Sequence, residues 1–191
     1  SASAAQAAKA AGAVYGGLIF EEASPRNVSR ETAAEIIAAE PGLDYVAVSR
    51  RTEGYDELVQ PGIVAVQVHA PYQGSLEAER ALIERVRGEV DCQVWRAVDM
   101  TGPTDAAGVA ELVDKLVLDS GAGGTGERFD WSRIPTADAL LAGGLTPDNL
   151  GDALRTGCTG LDLNSGFEDP LGHKDATALQ RGFATIRDFH N

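Results

Sequence analysis

The chain has 191 residues, enough for one compact domain able to bury a real core. Its 16 Lys and Arg against 29 Asp and Glu give a formal net charge of -13, which excludes nucleic acid and acidic membrane surfaces as partners, since both are held through basic stripes. Two cysteines, Cys92 and Cys158, are too few for a disulfide framework and fit no metal spacing, and no stretch resembles a signal peptide or a membrane span. A reducing, cytoplasmic setting without a metal is the expectation.

The Ala-rich opening reads as a helix over about residues 4–11, with Ser3 as its cap and Gly12 as its stop. A strand over Ala13 to Phe20 follows, then a helix from Glu31 to Ala39 capped by Ser29, and a strand from Tyr45 to Arg50. A weak helical segment near Tyr55 to Val59 leads to the strand Ile63 to His69. The charged amphipathic pattern from Leu76 to Arg87 is a helix, followed by the strand Gln93 to Val98 and a short helix from Ala106 to Val113. The next strand ends at Asp119. A turn at Trp131 to Ile134 precedes the strand at Leu140, a helix opens at Thr146, a strand starts at Gly160, and a helix over Ala176 to Phe189 closes the chain. Strand and helix alternate with no linker-like break, which predicts a parallel sheet in one domain over 1–191. Seven strands are readable, and a helix stands first where a barrel opens with a strand.

Three strand ends carry chemistry-bearing residues. The apolar run Lys115-Leu116-Val117-Leu118 delivers Asp119. Alternation puts Leu116 and Leu118 on one face and Val117 and Asp119 on the other, with the acid at the carboxyl end, where parallel α/β sheets keep their sites. Ser120-Gly121-Ala122-Gly123-Gly124-Thr125-Gly126 then reads as a lid nearly free of side chains, although an isolated Asp-Ser-Gly is also an ordinary turn initiator. In Leu140-Leu141-Ala142-Gly143-Gly144-Leu145-Thr146-Pro147-Asp148, a strand runs into two glycines and a helix start with Thr146 as N-cap and Pro147 at its first position; Gly157 supplies the stop. In Gly160-Leu161-Asp162-Leu163-Asn164-Ser165-Gly166, Asp162 and Asn164 share a face before a Ser-Gly loop. Two neighbouring small-residue loops are the usual phosphate site of a (β/α)8 barrel, and equally two βα turns that need glycine.

Taken in order, Ala11 to Phe20, Ser24-Pro25-Arg26, Val66-Gln67-Val68-His69, Leu118 to Gly121 with Gly123 to Gly126, Phe129-Asp130-Trp131, Leu141 to Pro147 and Leu161 to Gly166 resemble phosphoribosylanthranilate isomerase. This is the tryptophan-pathway (β/α)8 barrel of the ribulose-phosphate-binding type, and the chain is most similar to the form fused to indoleglycerol-phosphate synthase in enteric bacteria. The resemblance implies an Amadori rearrangement of N-(5′-phosphoribosyl)anthranilate, with no metal or organic cofactor and a small phosphorylated substrate as partner. It makes Asp119 the general acid, Arg26 the partner of the anthranilate carboxylate and Asp162 a substrate-facing carboxylate. Gly143, Gly144, Ser165 and Gly166 become the phosphate loops. Gln67 and His69 point inward from their strand and are read as core or rim residues; Cys92 and Cys158 precede strands, at the wrong end for chemistry.

The family's general base is a cysteine in a Cys-Gly-Leu motif that ends the first strand, just before the helix that stands first here. No such strand is readable, so the expectation is a domain incomplete at its amino end, with residues 13–20 and 160–165 as the strands flanking the gap. Three alternatives stand beside the isomerase: a silent sugar-phosphate binder lacking the base, a structural fusion domain, and a different ribulose-phosphate enzyme on the same superfold.

Overall fold

The computed structural model describes residues 1–121 and 128–189. Helix α1 (Ala2–Ala11) leads into β1 (Tyr15–Ile19), α2 (Arg30–Ala39), β2 (Asp44–Ser49), β3 (Ile63–Val68), α3 (Leu76–Glu89) and β4 (Gln93–Asp99). Then come α4 (Ala106–Ala110), β5 (Lys115–Asp119), β6 (Leu140–Leu141), α5 (Leu150–Arg155), β7 (Gly160–Leu161) and α6 (Ala176–Phe189). The seven strands form one parallel sheet in chain order. Such a sheet must return the chain by crossovers, and the helices supply most of them.

Alternation along the strands sorts the core into two layers. Val46, Ala65, Trp95, Ala97, Val117 and Ala142 pack together on the concave side. Their neighbours Ala47, Val66 and Val94 pack outward with Ala33 and Ile36 of α2 and Leu82 and Val86 of α3, while Leu116 and Leu118 join a second outer cluster with Val109 and Leu150. The face assigned to Val117 and Asp119 is therefore the inner one. A sheet covered on its outside by helices and filled within by side chains is the barrel arrangement.

The sheet curls until its two ends approach. Strands β1 and β7 are its edges, and neither pairs with a further strand among the described residues. Outside the sheet, Arg187 of α6 donates from Nη1 to the Ala11 carbonyl of α1 at 3.1 Å.

Several boundaries differ from the sequence reading. Ser1, not Ser3, caps α1, accepting from the Ala4 amide. Thr146 is not an N-cap and Pro147 is not helical: Asn149 Oδ1 accepts from the Thr146 amide at 2.9 Å while Nδ2 donates to the Gly144 carbonyl at 2.8 Å, so the chain turns once more before α5 begins at Leu150. Side-chain amides close such local turns in competition with the helix. Strands β6 and β7 are only two residues long, which leaves Asp162 just beyond the ladder, its amide still donating to Leu141 O at 2.8 Å. The proposed lid from Ala122 to Gly126 lies outside the described residues.

Candidate active site

Asp119 ends β5 opposite Asp99 of β4, on the inner face. Its Oδ1 accepts from the Ser120 amide at 2.7 Å, and its Oδ2 lies 3.4 Å from His69 Nε2. Burial holds the Asp119 carboxyl above the ordinary carboxylate range and the Asp99 charge adds to this, although the Ser120 amide pulls the other way. Asp162, arriving from the end of β7, is raised in the same direction, by burial first and then by the charge of Asp119. Burial lowers His69, which favours its neutral form against the opposing pull of Asp162. Two carboxyls that resist ionisation and a neutral imidazole can therefore hand a proton to a bound oxygen and take it back.

The two small-residue loops meet one another. Gly143 and Gly144 have φ of +74° and +63°, a region that favours glycine. A Cβ on Gly143 would stand 2.5 Å from the Ser120 amide nitrogen, and one on Gly166 would run into the Leu145 carbonyl and stand 2.9 Å from Thr146 Cγ2. The amides of Gly143, Gly144, Ser165 and Gly166 donate to none of the described residues. Half-buried N–H groups without an acceptor among the described residues are free to bind an anion, as consecutive backbone amides in a turn can.

Arg26 follows β1, and its Nε and Nη2 donate to Glu168 Oε2 at 3.1 and 2.6 Å across the opening between the sheet's two ends. Lys174 Nζ reaches the other oxygen of Glu168 at 3.0 Å and donates to the carbonyls of Leu163 and Asn164. Burial alone would raise Glu168, but the hydrogen bonds from Arg26 and Lys174 hold its carboxyl below the ordinary range, so it is an anion.

Arg26, Asp119, Asp162, Gly143, Gly144 and Ser165 line one continuous basin that runs along the inside of the sheet from its amino to its carboxyl end, where these residues stand; Gly166 lies behind Ser165, outside the lining. His69, expected as a core or rim residue, lines it too, together with Asp99, Glu168 and Lys174, for which the sequence suggests no role. The inward alternation of Gln67 and His69 was the available signal for His69; for Glu168 and Lys174, the acid two residues after Ser165-Gly166 and a lysine six further on gave no periodic signal. Cys92 and Cys158 are free and lie before β4 and β7, at the opposite ends of those strands. Among the described residues no helix is long and apolar enough to cross a membrane.

The family model for N-(5′-phosphoribosyl)anthranilate isomerase matches residues 1–184. The tryptophan biosynthesis protein TrpCF of Corynebacterium glutamicum is 61% identical over 204 aligned residues, covering 100% of this chain and 43% of that protein. The N-(5′-phosphoribosyl)anthranilate isomerase of Granulibacter bethesdensis is 32% identical, over 98% of this chain and 94% of its own length. The crystal structure of the phosphoribosylanthranilate isomerase from Thermus thermophilus superposes with a TM-score of 0.79 at 26% identity, covering 99% of this chain and 95% of that one. The chain thus spans less than half the length of its TrpCF relative and nearly the whole length of the Granulibacter isomerase. With a parallel sheet in barrel order, an acid at the end of β5 and a match along almost its entire length, the chain belongs to the N-(5′-phosphoribosyl)anthranilate isomerase family.

Proposed function

We propose that this chain converts N-(5′-phosphoribosyl)anthranilate into 1-(2-carboxyphenylamino)-1-deoxyribulose 5-phosphate, the Amadori rearrangement of tryptophan biosynthesis. The observation that carries the reading is Asp119: a carboxyl held above its ordinary range, on the inner face at a strand's carboxyl end. A general acid must keep its proton until the substrate needs it, and burial beside a second carboxylate does that.

Asp119 gives its proton to the ribose ring oxygen. The bond from that oxygen to C1′ breaks, and the nitrogen lone pair forms the C1′=N iminium. A base then removes the C2′ proton, the freed pair forms C1′=C2′, and the iminium electrons return to nitrogen. The resulting enolamine takes a proton at C1′ while its 2′-hydroxyl gives one up, and so becomes the C2′ ketone. No redox partner is required, since the oxidation at C2′ balances the reduction at C1′.

The base that the family resemblance implies is a cysteine at the end of a Cys-Gly-Leu strand. Neither Cys92 nor Cys158 can act for it, because each precedes its strand. The amides of Gly143, Gly144, Ser165 and Gly166 hold the substrate phosphate. Asp162 faces the ribose between the acid and the phosphate loops. Arg26 takes the anthranilate carboxylate, as a planar fork suited to both oxygens. A silent binding remnant is not favoured for a chain in a family of isomerases. In a protein laid out like the TrpCF relatives, indoleglycerol-phosphate synthase would be the fused neighbour, and two free cysteines fit a cytoplasmic enzyme.

The test is conversion of freshly made substrate to the ketose, followed by chromatography, by the chain extended at its amino end with a strand that ends in Cys-Gly-Leu. Product formation supports the reading. No product even at high protein concentration, from a folded protein, would overturn it.

A further inference from the structure

Arg26 is already engaged before any substrate arrives, and the way it is engaged has a chemical consequence. A guanidinium is planar and offers two carboxylate-binding edges, one made by Nε with a terminal nitrogen and one made by the two terminal nitrogens. Glu168 Oε2 occupies the first edge, through Nε and Nη2. Nη1 donates to no described residue, which leaves the second edge for another carboxylate. The Glu168 side chain is 5% exposed, so it is a fixed support, while the Arg26 side chain keeps 31% of its surface open to the basin. Lys174 is bound to the far oxygen of the same Glu168 and to two carbonyls at the end of β7, which fixes the carboxylate from behind.

Charge decides what this triad can do. Arg26 and Glu168 alone would be neutral, and a neutral pair has no net attraction for an anion in a protein of net charge -13. With Lys174 the cluster carries one net positive charge, and the only exposed edge of Arg26 is where an anion can collect it. The support spans 142 residues of sequence, from the loop after β1 to the loop after β7, so it also sets the width of the basin at this point.

We propose that Glu168, balanced by Lys174, is a positioning residue that presents the outer edge of Arg26 to the basin and thereby gives the site its preference for substrates bearing a carboxylate on the aryl ring. This rests on the reading of Arg26 given above. Glu168 touches neither the reacting atoms nor the carboxylate; it acts through Arg26.

The experiment is calorimetric titration of the 191-residue chain with two unreactive ligands: reduced 1-(2-carboxyphenylamino)-1-deoxyribulose 5-phosphate, and the same molecule without the ring carboxylate. The quantity read is the ratio of the two dissociation constants. For the unsubstituted protein the carboxylated ligand binds at least about 10-fold tighter, as one charge-assisted hydrogen-bonded pair provides. Glu168→Ala brings the ratio to within about threefold of unity and leaves the carboxylate-free ligand within about twofold of its original affinity. Lys174→Met, which keeps Arg26 on Glu168 but removes the surplus charge, lowers the ratio at least about threefold, and it decides the matter if Glu168→Ala does not fold. A purely structural clasp would weaken both ligands alike and leave the ratio at its original value in both variants, which overturns the proposal. Arg26→Ala separates the two layers of inference. If it collapses the ratio while the Glu168 and Lys174 variants do not, the positioning role fails alone; if it too leaves the ratio unchanged, the reading of Arg26 fails and takes the proposal with it.

Discussion

His69 Nε2 lies 3.4 Å from Asp119 Oδ2, joining the end of β3 to the end of β5 across the inner face of the sheet. Burial pushes the two groups in opposite directions, the carboxyl up and the imidazole down, so that both favour their uncharged forms. A half-buried pair of this kind stores a proton between a weak acid and a weak base, and it leaves a signature in stability.

The sign follows from linkage. For Asp119 the folded value lies above the unfolded one, so the stability it contributes is fully present below 3.8 and is lost as pH rises through the raised value. The Asp119→Asn protein should therefore gain on the parent over that window. For His69 the folded value lies below 6.5, so stability present above 6.5 is lost as pH falls through the lowered value, and His69→Asn should gain on the parent in that direction. Melting temperatures of the three proteins across pH check both; differences that do not change with pH would contradict the assigned shifts.

Gly143 is expected to tolerate no side chain. Its φ of +74° and the Ser120 amide only 2.5 Å from where a Cβ would sit mean that Gly143→Ala must move either the β6 loop or the turn that follows Asp119. Strain of this kind costs about 1–3 kcal/mol. Denaturant unfolding should show that loss, and inorganic phosphate should protect the variant less than the parent. Parental stability with full phosphate protection would show that the loop is not built as described.

Arg96 and Glu79 form an ion pair in which both side chains are fully buried, with Nε to Oε2 at 2.8 Å. Arg96 also donates to the carbonyls of Val68, Ala70, Ala97 and Pro71, and Glu79 Oε1 accepts from the Gln73 amide at 2.7 Å. The pair thus fixes the chain on either side of His69. Removing one partner of such a pair strands the other, at a cost of about 3–5 kcal/mol. Glu79→Ala is expected to lose that much in urea unfolding, while Glu79→Gln, which can still accept from Arg96, loses less; equal and small effects would mean that solvent reaches the site.

How much of this was legible in the sequence depended on whether a residue's role is local. The alternation in Lys115 to Asp119 put Val117 and Asp119 on one face and Leu116 and Leu118 on the other, and the clustering of Val117 with Ala97 and of Leu118 with Val109 bears out that division, while only the fold shows that the first face is the inner one. The cap at Ser29 and the glycine stop at Gly157 were equally readable, because each acts within one turn. The helix start at Thr146 was misread because Asn149, three residues on, closes a turn with its side chain and delays the helix. Arg96 carries no local signal within its strand, because its partner lies 17 residues away on α3, at a distance no periodicity reports. Glu168 was invisible for the same reason, since its partner Arg26 lies at the far end of the chain.

Asp119 as the general acid is tested most directly by the turnover number of Asp119→Asn on freshly made N-(5′-phosphoribosyl)anthranilate, set against the parent. Both proteins carry the added strand ending in Cys-Gly-Leu, and both are titrated with the reduced product analogue to confirm an intact binding site. A placed acid contributes on the order of 10² to 10⁴ in rate, so kcat should fall by that factor while the analogue binds within about twofold of the parent. A variant that binds the analogue normally and keeps most of its kcat would contradict the account and move the search for the acid to Asp162 or His69.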